Sequence, residues 1–175
     1  MQTFPSTSVE TYKSLARTWA ATVTVVTVRR AADHVAAGAP ELDGFTATAF
    51  LTVSMAPPII VVSATSAASP FAMLRDAAAF AVNLLLPDQA DLAGAFAKHH
   101  SERAGLWEHA PWTPDAEGVP LLRATTGAFS ARVRQLVDAG DHTLVLGDVT
   151  AIHLGEGSDT LVYHNRGYGR VVRQG

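Results

Sequence analysis

The amino-acid sequence predicts a mainly β protein, folded as an antiparallel β-barrel with a few short helices. Two segments, residues 126–137 and 142–154, alternate apolar and polar residues over the length of long strands. The turn sequence "DAGD" at 138–141 separates them, so we expect the two strands to form a β-hairpin. Because the helical segments are few and short, an antiparallel barrel is favoured over a parallel doubly wound sheet.

The other elements follow from local patterns. A β-branched run at 21–30 is typical of a strand. Ser69 before Pro70 predicts a helix start, because the hydroxyl can cap the first turn and proline suits the first helical position. Asp88 predicts a second helix cap. The remaining expected elements are a helix over 9–20, strands over 45–55, 57–64, 78–86 and 160–165, a helix over 87–100, and loops over 29–44 and 103–122.

The predicted strand over 45–55 has two faces of different chemistry. Its odd-numbered residues are apolar, and its even-numbered residues are Thr46, Thr48, Phe50, Thr52 and Ser54. A solvated strand face is often rich in threonine, which is the simplest interpretation. Such a face usually carries Lys or Glu as well, and neither occurs between residues 44 and 55. The pattern therefore favours a surface that binds a ligand.

Small polar residues continue toward the helix start predicted at Ser69, with Ser63, Thr65 and Ser66 just before it. A helix N-terminus with free N–H groups and neighbouring hydroxyls can bind an anion such as phosphate. The hydroxyls of the strand suit a polyol, and the small alanines around them let backbone amides approach a flat ring. These residues predict a phosphorylated, polyol-bearing ligand, without identifying it further.

Length and composition limit the classes of protein to which this chain can belong. The chain has 175 residues, which suits a single domain over 1–175, and a formal net charge of -3 without any Lys/Arg stripe, so nucleic acid is not an expected partner. The absence of cysteine excludes disulfides and thiolate catalysis and is consistent with a cytoplasmic protein. No apolar stretch reaches about 18 residues, so no membrane association is expected. His99, His100 and His109 lack a metal-binding spacing, so no metal site is predicted.

Five motifs occur in order, within a resemblance to a known family that spans residues 15–170. They are "GFTATAFLTVSMAPP", the loop "ATSAAS" followed by "FAVNLL", "LAGAFAKHH", "GDHTLVLGDV" and "LVYHNRGYG". Together they resemble the flavin reductase-like family of FMN-binding split barrels. The resemblance implies a split β-barrel, flavin (FMN or FAD) as cofactor, and NADH or NADPH as electron donor.

The resemblance also implies site residues. In the family, amides and hydroxyls of the strand-pair motif hold the flavin, which here corresponds to Thr46, Ala47, Thr48, Ala49 and Ser54. The loop after the third strand holds the phosphate, which corresponds to Ser63, Ala64, Thr65 and Ser69. His142 is expected near the nicotinamide, with Tyr168 as a second candidate for that region. The loop "ATSAAS" has no Lys or Arg, although one often lies near the phosphate.

The implied reaction is hydride transfer from NAD(P)H to flavin, with reduced flavin passing to a separate monooxygenase. The flavin carries the chemistry, so we predict no catalytic acid or base. The family implies a homodimer. Two alternatives remain open at this stage. One is a barrel that holds FMN tightly and oxidises a small amine, and the other is a non-catalytic flavin-binding or sensor module.

Overall fold

A seven-stranded antiparallel sheet forms the centre of the computed structural model, which describes residues 8–30, 41–66, 69–103, 105–155 and 157–172. The strands of the described residues are β1 (Ala21–Thr22), β2 (Thr24–Arg29), β3 (Leu42–Ala47), β4 (Phe50–Met55), β5 (Pro58–Thr65), β6 (Ala79–Leu84), β7 (Trp112–Pro114), β8 (Pro120–Leu122), β9 (Gly127–Ala139), β10 (His142–Leu154), β11 (Leu161–His164) and β12 (Gly167–Arg170). The helices are α1 (Val9–Ala16), α2 (Ser69–Asp76), α3 (Ala90–Phe96) and α4 (Leu106–His109).

The large sheet has the strand order β3-β2-β6-β9-β10-β5-β4. A three-stranded sheet, β1-β11-β12, and the hairpin β7-β8 complete the β structure of the described residues. Every strand pair is antiparallel. The prediction of a mainly β, antiparallel fold with a few short helices is therefore confirmed.

Two groups of buried side chains stabilise this arrangement. The larger one joins the central sheet to α2, and Phe45, Ile60, Met73 and Phe80 contribute its bulk. The smaller one lies under α3, where Phe96 packs edge to face against Trp107 with ring centroids 5.4 Å apart. Burying large apolar side chains is the main favourable term in folding. These two groups fix the strands on which the site depends.

The buried amide of Asn83 connects three strands. Its Nδ2 donates to the carbonyl of Val25 (3.0 Å) and to Oγ1 of Thr27 (3.1 Å). Its Oδ1 accepts from the backbone N–H of Leu122 at 2.9 Å. Because a buried polar group is costly unless it is paired, Asn83 holds β8 against β2 and β6.

The prediction of a single strand over 45–55 is wrong. The chain forms β3, leaves the strand at Thr48 and Ala49, and resumes as β4 at the opposite edge of the sheet. Because β3 pairs with β2 and β4 pairs with β5, the two halves face different neighbours. The odd-numbered residues of β3 are buried, but Leu51, Val53 and Met55 of β4 are exposed.

Several element boundaries also differ from the predictions. The helix at the start of the chain ends at Ala16 instead of residue 20, and the predicted strand over 21–30 is divided at Val23 into β1 and β2. Asp88 does not cap α3, since Gln89 occupies the cap position and its side chain instead accepts from the N–H of Leu86 at 2.8 Å.

Two segments without a predicted helix or strand contain regular structure. The loop predicted over 103–122 contains α4 and the hairpin β7-β8, and the residues that follow the strand predicted over 160–165 form β12. Within these segments, prolines and glycines lie at strand ends and in short strands, where they are tolerated and where they obscure a periodic signal. Most of the loop predicted over 29–44 lies outside the described residues.

Candidate functional site

A cavity of about 1200 Å³ lies between α1, the residues that connect β3 to β4, and the hairpin β11-β12. Aromatic and aliphatic side chains of the α1 segment form one wall, among them Tyr12, Leu15 and Trp19. The lining also includes the hydroxyl-bearing residues Thr48, Thr52 and Ser63. A large, mainly apolar cleft with a few polar groups is typical of sites that bind cofactors.

A second cavity of about 700 Å³ adjoins the first, and the two share Tyr12, Lys13 and Ser63 as lining residues. The second cavity is bounded by the turn between β9 and β10, including Asp141 and His142. The shared residues place α1 along both cavities. The two spaces therefore offer room for two ligands that meet near Ser63.

Four of the residues predicted from the sequence line these cavities. Thr48 and Ala49 lie in the larger one, where the chain leaves β3. Ser63 borders both, and its backbone N–H donates to the carbonyl of Ala49 at 2.9 Å. His142 borders the smaller one. Because Ser63 lies on β5 next to β10, the sheet brings the hydroxyl segment and the "GDH" turn to the same place.

Three predicted residues have structural partners instead. The hydroxyl of Thr46 donates to the carbonyl of Ala93 at 2.6 Å, so it anchors α3 to β3. The side chains of Ala47 and Ala64 are buried in the larger core group. The sequence could not separate these residues from Thr48, because a strand pattern does not show where a strand ends.

The remaining predicted residues lie around the lining. Thr65 is exposed, with Oγ1 3.3 Å from Nε2 of His142. Ser54 is half-buried on β4 and does not line either cavity. Ser69 begins α2, as predicted, and its side chain lies outside the described part of the structure.

The imidazole of His142 is held on both ring nitrogens. Nδ1 lies 2.7 Å from Oδ1 of Asp141, and this hydrogen bond is the largest cause of the lowered pKa of Asp141. A carboxylate only accepts hydrogen bonds, so Nδ1 carries the proton. Nε2 lies 3.3 Å from Oγ1 of Thr65, a hydroxyl that can donate to it or accept from it. The arrangement orients the ring at the edge of the smaller cavity.

Tyr168 is connected to the larger cavity through Tyr163. Its ring packs edge to face against Tyr163, with centroids 5.3 Å apart, and Tyr163 lines the larger cavity. Burial, and then the nearby Tyr163 phenol, raise the pKa of Tyr168. Its hydroxyl therefore remains protonated at neutral pH and is able to donate a hydrogen bond.

The prediction of the site omitted all of its cations. Lys13, Arg17 and Arg166 line the larger cavity, together with the aromatic residues of α1. The four-residue interval between Lys13 and Arg17 places both on one helix face, which was the available signal. The sequence contained no comparable signal for Arg166, because this residue lies on a turn that the sequence pattern did not predict.

Among the residues that the structure describes, no group of three or more His, Cys, Asp or Glu side chains is arranged to hold a metal ion. The helices described by the structure include none with the length and apolarity needed to cross a membrane.

Known proteins resemble this chain over most of its length. The model of the flavin reductase like domain matches residues 16–171. The NADH:FMN oxidoreductase of Rhodococcus qingshengii is 33% identical over 168 residues, which cover 94% of this chain and 82% of that protein. The reductase component of 4-hydroxyphenylacetate 3-monooxygenase from Thermus thermophilus is 31% identical over 163 residues, which cover 93% of this chain and 97% of that protein.

A solved structure agrees with these sequence matches. BorF, the flavin reductase component of a bacterial two-component tryptophan halogenase, superposes with a TM-score of 0.82 at 26% identity, covering 95% of this chain and 100% of BorF. The fold, the family model and the relatives all point to the same group of proteins, and on this combined basis the chain belongs to the flavin reductase-like family.

Proposed function

We propose that this protein is an NAD(P)H:flavin oxidoreductase that transfers hydride from NADH or NADPH to FMN or FAD. The observation that carries the proposal is the pair of adjoining cavities, which share Ser63 and border the strand-pair motif on one side and the "GDH" turn on the other. Hydride transfer requires two nucleotides at one place, and a single pocket for one ligand would not serve it. The Rhodococcus relative is named for the same reaction with NADH and FMN.

The residues of the larger cavity fit a flavin. The neutral hydroxyl-bearing residues of its lining suit a ribityl chain, while the apolar and aromatic residues of the lining suit a ring system. When bound, the flavin supplies the ring that accepts the hydride. The proposed cofactor contacts remain those predicted from the sequence, through side chain or backbone: Thr46, Ala47, Thr48, Ala49, Ser54, Ser63, Ala64, Thr65, Ser69, His142 and Tyr168.

The chain's own residues act by positioning. His142, fixed by Asp141 and Thr65, is proposed to orient the nicotinamide at the smaller cavity. Tyr12 and Trp19 line the larger cavity, and we propose that they pack against the bound flavin ring. No residue needs to gain or lose a proton in this step, so we assign no catalytic acid or base.

We further propose that reduced flavin leaves for a separate monooxygenase. The Thermus relative is named as the reductase component of a monooxygenase, and BorF as that of a halogenase. The hydroxyls of Thr48, Thr52 and Ser63 are uncharged, and a neutral hydrogen bond contributes only about 1 kcal/mol net. A binding site made of such weak, uncharged contacts suits a flavin that exchanges with solution.

A homodimer is part of the same proposal. β4 is an edge strand of the large sheet, and its Leu51, Val53 and Met55 are exposed, Met55 to 94%. Ile152 and Leu154 are also exposed, on the part of β10 that extends beyond its pairing with β5. Exposed apolar side chains on an edge strand mark an interaction surface. Leu51 also lines the larger cavity, so a second copy on this face would border the site.

The test is oxidation of NADH and then NADPH by the purified protein while free FMN or FAD is titrated. Turnover that saturates with added flavin supports a reductase that uses flavin as a substrate. The Ser63→Ala variant should raise the flavin KM, whereas Ser158→Ala, on an exposed bend away from both cavities, should not.

Turnover no faster than that of free flavin would refute the reductase function. In that case, flavin that stays bound through purification and oxidises an amine would identify a tight-FMN oxidase. Bound flavin without any turnover would identify a binding or sensor module. The cytoplasmic location stays a prediction, which cell fractionation tests.

A further inference from the structure

The larger cavity is positively charged although the chain as a whole is acidic. Among the described residues, its lining includes Lys13, Arg17 and Arg166 and no Asp or Glu, whereas the formal net charge of the chain is -3. Within the described parts of the chain, no ion pair joins Arg17 or Arg166 to a carboxylate. A group of cations in a cleft favours an anionic ligand.

The three cations come from two elements that are joined at one point. Lys13 and Arg17 lie four residues apart, so they share one face of the α1 segment. The carbonyl of Arg17 accepts from the backbone N–H of Asn165 at 2.9 Å, and Asn165 immediately precedes Arg166. This hydrogen bond connects α1 to the β11-β12 turn. The cations are therefore assembled by the fold and do not depend on a chance approach of long side chains.

The helix alone does not account for this grouping. Cations are favourable near a helix C-terminus, which explains Lys13 and Arg17 without any ligand. Like charges four residues apart on one face repel, however, and a third cation facing them adds to that repulsion. Arg166 is not on a helix, so the helix dipole does not explain its presence.

The backbone at Arg166 makes arginine an unfavourable choice for the turn. His164 pairs with Gly167, which leaves Asn165 and Arg166 as the two turn residues, with φ of 46° and 67°. A two-residue turn with both φ values positive favours Asn-Gly, because glycine lacks the Cβ that is crowded there. Turn geometry would select glycine at position 166, so the arginine points to another role.

We propose that Lys13, Arg17 and Arg166 bind the phosphate groups of a nucleotide in the larger cavity. The inference rests on the proposed reductase function, which requires two phosphate-bearing nucleotides in this region. The loop "ATSAAS" has no cation of its own, and α1 and the β11-β12 turn supply positive charge to the larger cavity. Arginine suits this role because its planar guanidinium binds phosphate through two parallel hydrogen bonds.

The test compares ligands that differ only by phosphate. Binding of FMN and of riboflavin is measured by flavin fluorescence, so this readout needs no turnover. The variants are Arg166→Gly and Lys13→Ala/Arg17→Ala, and the control is Arg123→Ala, an exposed arginine outside both cavities. Because Arg166→Gly places the preferred residue in the turn, its melting temperature should be equal or higher, so weaker binding would not reflect unfolding.

Two outcomes support the proposal and separate the two nucleotides. If the cations hold the flavin phosphate, Arg166→Gly weakens FMN about tenfold, as expected for one charged hydrogen bond, and leaves riboflavin unchanged. If they hold the dinucleotide, the KM for NADH rises about tenfold while FMN binding and turnover with 1-benzyl-1,4-dihydronicotinamide, which has no phosphate, stay the same.

Other results would overturn it. Unchanged FMN affinity and unchanged NADH KM in both variants would exclude a phosphate role, as would equal weakening of FMN and riboflavin. Failure of the reductase function itself looks different, since the wild-type protein would then show no flavin-dependent oxidation of NADH whatever its affinity for FMN.

Discussion

Replacing Asn83 by Asp should destabilise the protein in a pH-dependent way. The side chain of Asn83 is fully buried and donates two hydrogen bonds through Nδ2, to the Val25 carbonyl and to Thr27 Oγ1. An ionised carboxylate cannot donate either one. The Thr27 hydroxyl cannot turn to help, because it already donates to the carbonyl of Pro120.

The magnitude follows from the partners that are lost. Once protonated, the carboxyl of Asn83→Asp can restore one donor, which leaves one unmet hydrogen bond at a loss of about 1–3 kcal/mol. Burial raises the pKa of such a carboxyl, by up to about 3–5 units when fully buried. Each pH unit between the unfolded pKa, about 3.9, and the folded pKa then removes about 1.4 kcal/mol. The variant should therefore lose roughly 3–4 kcal/mol more between pH 4 and pH 7 than the wild type does.

Urea unfolding at pH 4.5 and pH 7 measures this difference. With an m-value of about 1–3 kcal/mol/M, the extra loss shifts the midpoint by more than about 1 M. Asn165→Asp, on the exposed β11-β12 turn, is the matched control and should show no such pH dependence. A midpoint difference between Asn83→Asp and wild type that is the same at both pH values would refute the reasoning about the amide.

Three other predictions concern packing, assembly and charge. Gly147→Ala should lower stability by about 1–3 kcal/mol in a thermal melt, because the added Cβ would lie 2.6 Å from Cζ of Phe80; an unchanged melting temperature would contradict this packing. Met55→Lys should convert the proposed dimer to a monomer in analytical ultracentrifugation, whereas Lys98→Met, at an exposed residue after α3, should leave it dimeric. A dimeric Met55→Lys protein would argue against β4 as the dimer surface. The pKa of Asp141 is lowered, mainly by the His142 hydrogen bond, so its stabilisation is present above the ordinary Asp pKa and is lost as pH falls through the lowered value. The melting-temperature difference between wild type and Asp141→Asn should therefore be larger at pH 7 than at pH 2.5, and a constant difference would show that the ion pair is not its cause.

Local sequence patterns predicted the fold class and most strands correctly. The long hairpin β9-β10 was found with its turn, because alternation over a dozen residues is a strong signal. The start of α2 at Ser69 was found because serine followed by proline suits a helix start for two independent reasons.

The division of the hydroxyl segment into β3 and β4 could not be found in this way. The alternation continues through Thr48 and Ala49, and the change of sheet edge depends on β2 and β5, which are distant in sequence. Thr46 was therefore grouped with Thr48, although it anchors α3 while Thr48 lines the cavity. Thr48, Ala49 and Ser63 were predicted together because their motif is nearly continuous, whereas the cations that line the same cavity were missed because they come from both ends of the chain.

Helix α1 borders both cavities and yet contains no buried residue. In a densely packed core, a substitution that alters a ligand contact usually also disturbs the fold, so few such changes survive. On α1 the two effects are separate, since its side chains face the ligand space and contribute little to folding. Residues such as Tyr12 and Lys13 are therefore free to vary under selection for a different nucleotide or partner. In evolutionary terms, this helix is where related reductases can diverge in specificity while the sheet stays the same.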